Sequence, residues 1–261
     1  MTDETDPARE LAELCRQLSS PARISGHLHL AGQFNVDPWS ADFFHILFQI
    51  HRRIDELIRL IPELGLDQEH VESSSAALTK LKTGFGNNAM SNQWDWVTTN
   101  VITNDLIINI SFLSYHVRRV NSYPKLSGEQ RDHVLAEAVQ LKIWLETHQL
   151  EKNDFIRMSL IDGISAFIFR VERMQWLGTG YALDSLKEVV GAYLILERGT
   201  VNPTDLPLSA ATLQKALKFL KEATSIIKIA KDTTDAVQFL LKVYGAAQLA
   251  IQGGRTAGLL T

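Results

Sequence analysis

Apolar residues recur along most of this chain at alternating steps of three and four, the period that lines one face of an α-helix. The clearest run is Phe43, Leu47, Ile50, Ile54, Leu57 and Ile61. It predicts a long helix over residues 40–64, with Ser40 as N-cap and a heptad-like seam facing inward. His51, Arg52, Arg53, Asp55, Glu56 and Arg59 fall largely off that seam, and Gly65 is the expected stop.

Similar stripes predict most of the other elements. Pro7 suits the first turn of a short helix over residues 8–18, with Leu11, Leu14 and Leu18 on one side. Residues 67–82 read as a polar helix, 83–91 as a flexible glycine-containing turn, and 93–120 as a third long helix before Pro124. Ser127 followed by Gln130 has the capping-box pattern for a helix to about residue 148, striped by Val134, Ala138, Leu141 and Leu145. Residues 153–177 are apolar on nearly every face, the pattern of a helix at the centre of a bundle. Residues 181–197 predict another apolar helix. Ser209 opens a last helical segment to about residue 252, either unbroken or interrupted near residues 232–235. Only residues 24–34 resist a helical reading, because Gly26 and Gly32 interrupt a loose alternation; an ordered loop is expected there.

These elements make the chain all-α, an antiparallel multi-helix bundle with several long helices. Residues 1–7 read as a disordered acidic tail, 8–252 as a single helical-bundle domain with a sub-boundary near 199–208 if it divides, and 253–261 as a flexible tail.

Composition narrows the function classes. The chain has 261 residues, 45% of them apolar, which is enough for a substantial core. Its 26 basic and 30 acidic residues leave a net charge of −4, without the basic excess that attracts nucleic acid. The single cysteine, Cys15, excludes an intramolecular disulfide. Residues 1–10 are acidic and polar, unlike a secretory leader, and no uncharged apolar run is long enough to span a bilayer. The expected location is cytoplasmic, with membrane association on activation as the variant.

Candidate chemistry is sparse. His27-Leu28-His29 would put two imidazoles on one face of an extended segment, a spacing used in metal sites, but no spaced set of further ligands accompanies it. Arg23 and His29 are spaced compatibly with the Arg-x4–6-His motif of HEPN ribonucleases. The Gly26-containing segment reads as loop where that family has a helix end, so no role is carried over. Asp105 and Asn109 share one face of an apolar helix, and Asp162 lies inside the greasiest one. With His116 they define an expected buried polar site, whose carboxylates need a cationic partner or water. No phosphate-binding glycine loop and no nucleophile elbow occurs. No cofactor or metal is expected.

The most distinctive stretch is residues 236–251, with one charge, Lys242, and several small residues that permit close helix approach. Val237, Leu240, Leu241, Tyr244, Gly245, Leu249 and Ile251 are its expected interaction or membrane-facing positions. The leading expectation is a non-enzymatic helical interaction or regulatory module that binds a protein partner or self-associates. A membrane-active α-helical effector using residues 209–252 and a bundle enzyme around Asp105 and Asp162 are the alternatives.

Overall fold

The computed structural model describes residues 4–150, 154–199 and 207–227. Over these residues the chain is all-α, a multi-helix fold. Two short strands, β1 (Glu4–Thr5) and β2 (Tyr123–Pro124), pair with each other. The helices form two compact units.

The amino-terminal unit holds residues 4–123 together with the later segment Arg173–Thr179. Its first helix, α1 (Pro7–Leu18), begins where sequence predicts, with Pro7 in the first turn and Asp6 as N-cap accepting the Arg9 amide at 2.9 Å. Asp6 is fully buried, accepts the Ser114 hydroxyl at 2.6 Å and lies 3.6 Å from Arg118. The expected acidic tail is therefore corrected from residue 4 onward. A desolvated carboxylate with these partners anchors the chain.

Helix α2 (Gly26–Phe34) replaces the expected loop. Its glycines are not breakers. A Cβ at Gly26 would sit 2.2 Å from the Ala89 carbonyl oxygen, so the missing side chain lets the helix start press against α5 (Asn87–Ser91). The Gly26 amide also donates to the Asn92 carbonyl at 2.8 Å. Single-sequence reading sees the glycine and not the backbone that approaches it.

Helix α3 (Ala41–Leu60) follows the heptad prediction. Ser40 Oγ accepts the Phe43 amide at 3.2 Å, and all six seam residues are buried. A 3₁₀ turn at Ile61–Glu63 and Gly65 at φ 69° end it. Asp67 caps α4 (Gln68–Thr83) through the His70 amide at 2.9 Å. The long helix expected over 93–120 is instead two, α6 (Trp94–Asn100) and α7 (Asn104–Val120). The Val101 and Ile102 amides both converge on the Val97 carbonyl, and Thr103 then caps α7 by accepting the Leu106 amide at 3.3 Å. A threonine cap inside an uninterrupted apolar stripe is the signal that the stripe hid. α1 packs on α7 and α3, with Leu11, Leu14 and Leu18 fully buried.

The carboxy-terminal unit includes residues 124–172 and, as far as they are described, 180–227. Ser127 and Gln130 form the predicted capping box of α8 (Gly128–Thr147), bonding reciprocally at 3.1 and 2.9 Å. α9 (Asp154–Glu172) buries Ile156, Leu160, Ile164, Phe167 and Val171, while Phe155 and Met158 are exposed, so it is not covered on every side. The chain then forms α10 (Met174–Leu177), in the amino-terminal unit, and α11 (Thr179–Asp184). α9 packs against α8 and α12 (Leu186–Gly199), and both of these pack against α13 (Pro207–Ile227). Gly163 permits the close α9–α12 approach, since a Cβ there would lie 3.3 Å from the Val189 nitrogen. Phe167 meets Phe219 edge to face at 5.5 Å, joining α9 to α13.

Within the span 8–252 expected as one bundle domain, with a sub-boundary near 199–208 if it divides, the described residues fall into two units. The chain passes between them after Tyr123, after Glu172 and after Thr179. Apolar periodicity is the same on both sides of these points, so it marks helices without marking which core each one joins.

Candidate functional site

The surface that stands out in the amino-terminal unit is aromatic. It is built where α2 hands over to α3. Asn35 ends α2 in the left-handed region (φ 53°, ψ 55°), and the Val36 amide reaches back to the Ala31 carbonyl at 3.1 Å. Asp37, Pro38, Trp39 and Ser40 then form a turn closed by the Ser40 amide on the Asp37 carbonyl at 3.2 Å. Pro38 imposes a negative φ, and Trp39 follows at φ 64°. That is the place in a type II turn where glycine normally stands. A tryptophan there carries backbone strain that its own contacts must offset.

Those contacts are rings. His27 stacks on Trp39 at 4.7 Å, Phe43 meets it edge to face at 5.7 Å and Phe44 tilts against it at 5.9 Å. His27 is itself fixed, its Nδ1–H donating to the Met90 carbonyl at 3.0 Å. The held indole nevertheless leaves 51% of its surface in solvent. Phe44, at 52%, and Phe48, at 66%, extend the exposed rings one turn along α3. Ile24 and Leu28 are also exposed and flank His27 in sequence. Beside the rings lies an open depression of about 400 Å³ lined by Ala31, Gly32, Asn35, Asp37, Ser40 and Asp42, among others. The face is therefore apolar at its centre and polar on one side.

A second exposed stripe runs along α7, through Ile108, Phe112 and Tyr115. His70 and His116 lie against Phe112, and the Arg119 guanidinium covers Tyr115 at 4.5 Å. Its rings sit on ordinary helical backbone, without the strained support of Trp39.

The residues singled out from sequence fall elsewhere. Asp105, Asn109 and Asp162 are exposed and His116 is half-buried, so the expected buried polar site is corrected. Asp105 and Asp162 also belong to different units. An apolar stripe on one side of each helix reads as apolarity all round, whereas Asp105 and Asp162 lie on the exposed side, where water solvates the carboxylates. His27 and His29 do not share a ligand face. His27 lies on Trp39, whereas His29 is buried and stacks on Trp94 at 4.8 Å. His29 Nε2 has no hydrogen-bond partner, and burial holds its imidazole below the usual pKa. Arg23 precedes α2 with its side chain 91% exposed, 4.0 Å from Asp95, while His29 points into the core. Among the described residues no group of three or more His, Cys, Asp or Glu side chains is placed to hold a metal. None of the described helices is long and apolar enough to cross a membrane. Val237, Leu240, Leu241, Tyr244, Gly245, Leu249 and Ile251 lie outside the described residues.

Sequence reading missed two things here. Exposed Phe44 and Phe48 flank the heptad seam and were hidden by its regularity. The Asp37-Pro38-Trp39-Ser40 turn has its signal in the sequence, a proline at the second turn position. A further cluster joins part-buried charged groups that are far apart in sequence. Glu10 and Arg53 pair at 3.3 Å, and Tyr123 donates to the same carboxylate at 3.2 Å. Burial raises the Glu10 carboxyl pKa against the opposing pull of Arg53, and burial likewise pushes the Tyr123 phenol up. Cys15, buried nearby in α1, has its thiol pushed up to about 12 and is not a nucleophile at neutral pH.

No protein-family model matches this chain, and neither a curated protein nor a solved structure shows significant similarity to it.

Proposed function

We propose that the chain is a helical interaction module whose amino-terminal unit binds a protein partner through the Trp39–Phe44–Phe48 face. One observation carries this reading: a tryptophan stands at positive φ, gripped by His27, Phe43 and Phe44, with half its surface facing solvent. Strain of this kind, about 1–3 kcal/mol, persists when surrounding structure enforces it and is drawn to functional positions. Clustered exposed aromatics, with a polar rim, have the anatomy of an interface core. Trp39 would act as the anchor, preorganised because its ring is already fixed in the free protein. Asp37, Asp42 and Arg173, which line the depression, would give it charged groups of both signs to pair with a partner's rim.

The test is a pair of variants. Phe48→Ser removes the outermost ring, which is 66% exposed, and Phe44→Ser, made separately, removes a ring that also leans on Trp39. The expected result is an unchanged circular dichroism spectrum with at least tenfold weaker association with the partner isolated by the unsubstituted chain. Unchanged association would remove the proposal.

A further inference from the structure

Helix α7 carries apolar residues on two sides. Leu106, Ile110, Leu113 and Val117 are buried, and α1 and α4 pack against the helix. The other side holds a second heptad-like seam, Asp105, Ile108, Phe112, Tyr115 and Arg119, at steps of three, four, three and four. Ile108, Phe112 and Tyr115 each leave more than half of their surface in solvent, and Asp105 and Arg119 are exposed as well. Single apolar residues on a surface need no explanation, but three at helical spacing make a continuous strip. The ends of the strip carry opposite charges. Asp105 and Arg119 stand seven residues on either side of Phe112, about 10 Å along the axis in each direction. Arg118, the other cation in the last turn, lies 3.6 Å from Asp6 and is engaged there. Arg119 is therefore the strip's own charge. Its guanidinium lies over the Tyr115 ring at 4.5 Å, folded along the strip.

We propose that this strip is the seam of a two-fold symmetric, antiparallel dimer of the chain. A second copy turned about an axis near Phe112 sets the two Phe112 rings together and each Ile108 beside the other copy's Tyr115. Each Asp105 then faces the other copy's Arg119. A two-fold contact uses one patch twice, so the patch must complement itself. Opposite charges at equal distances from a central ring meet that condition. A parallel pairing would bring Asp105 onto Asp105 and Arg119 onto Arg119, and like charges in register repel. The opposite partial charges at the two ends of α7 favour the antiparallel direction too. A binding surface for an unrelated helix needs no such symmetry. α7 has 17 residues, about 25 Å of helix, which makes a small interface and a reversible dimer. The seam is separate from the Trp39 face, so self-pairing and partner binding use different surfaces of the amino-terminal unit.

Sedimentation equilibrium of the full chain tests this. The unsubstituted protein should dimerise reversibly with a Kd of about 1–100 μM. Phe112→Glu puts two like charges at the axis and should weaken the dimer by about tenfold or more. Asp105→Arg and Arg119→Asp should each weaken self-association, because each sets like charges against one another at both ends. An equimolar mixture of these two variants should form a heterodimer in which every end pair is opposite again. Phe48→Ser, on the Trp39 face, should leave the dimer unchanged. Circular dichroism checks that each variant is folded; should Phe112→Glu not fold, the unsubstituted chain and the charge-variant mixture decide. A chain that stays monomeric to several hundred micromolar, roughly the weak end for an interface of this size, would overturn the proposal. So would a dimer that survives Phe112→Glu, a dimer lost in Phe48→Ser, or two charge variants that do not combine.

Discussion

The imidazole of His27 lies on the indole of Trp39, ring centroids 4.7 Å apart and planes within 27° of each other. Through this contact a residue on α2 holds a strained turn residue in front of α3, and the exposed face depends on it. Strain and ring packing can be separated by substitution. Trp39→Gly and Trp39→Ala both delete the ring, but only alanine retains the penalty of positive φ. Trp39→Gly should therefore be more stable than Trp39→Ala by about 1 kcal/mol in urea unfolding. Equal stabilities would show that the turn relaxes and carries no strain.

Asp6 joins the first helix to α7. Replacing it with alanine removes the N-cap bond to Arg9 and leaves the Ser114 hydroxyl without its acceptor in a buried position. The expected loss is about 2–4 kcal/mol, the sum of a lost cap and an orphaned buried donor, read as a lower urea midpoint with an unchanged slope. A loss under about 0.5 kcal/mol would return residues 4–7 to the status of a tail.

His29 makes stability depend on pH. Burial depresses its folded pKa below the ordinary 6.5, so the unfolded chain takes up a proton first as pH falls. Its contribution is fully present above about pH 6.5 and is lost as pH drops from there through the folded pKa. His29→Phe keeps an aromatic ring against Trp94 and removes the titration. Between pH 7 and pH 5 the variant should lose less stability than the parent, measured by urea unfolding at each pH. Parallel pH profiles would contradict this.

In the carboxy-terminal unit, Gly163 sets the distance between α9 and α12. Gly163→Val places branched carbons where a single Cβ already lies 3.3 Å from the Val189 nitrogen. Overpacking of this kind should destabilise by about 1–3 kcal/mol, visible as a lower thermal midpoint. An unchanged midpoint would mean that the two helices are free to separate.

How far these features can be read from sequence follows from what each depends on. Local chemistry is legible: the cap at Ser40, the Ser127–Gln130 box and the α3 seam all stand where residue type and spacing place them. Long-range chemistry is not. Gly26 reads as a breaker until Ala89 is seen against it, and Glu10 and Arg53 are ordinary charged residues until they are brought together 43 positions apart. The exposed rings at Phe44 and Phe48 follow the same logic in reverse. An apolar residue beside a seam reads as core until the packing shows that nothing described covers it.

The binding role of the Trp39 face is tested most directly by a photo-crosslinker placed at Phe48 in cells that naturally make the protein, with exposed Lys80 on α4 as the control position. The account predicts a discrete adduct to one partner protein at position 48, none at position 80, and loss of the adduct when Trp39→Gly is added. No adduct at either position, or equal adducts at both, would contradict it.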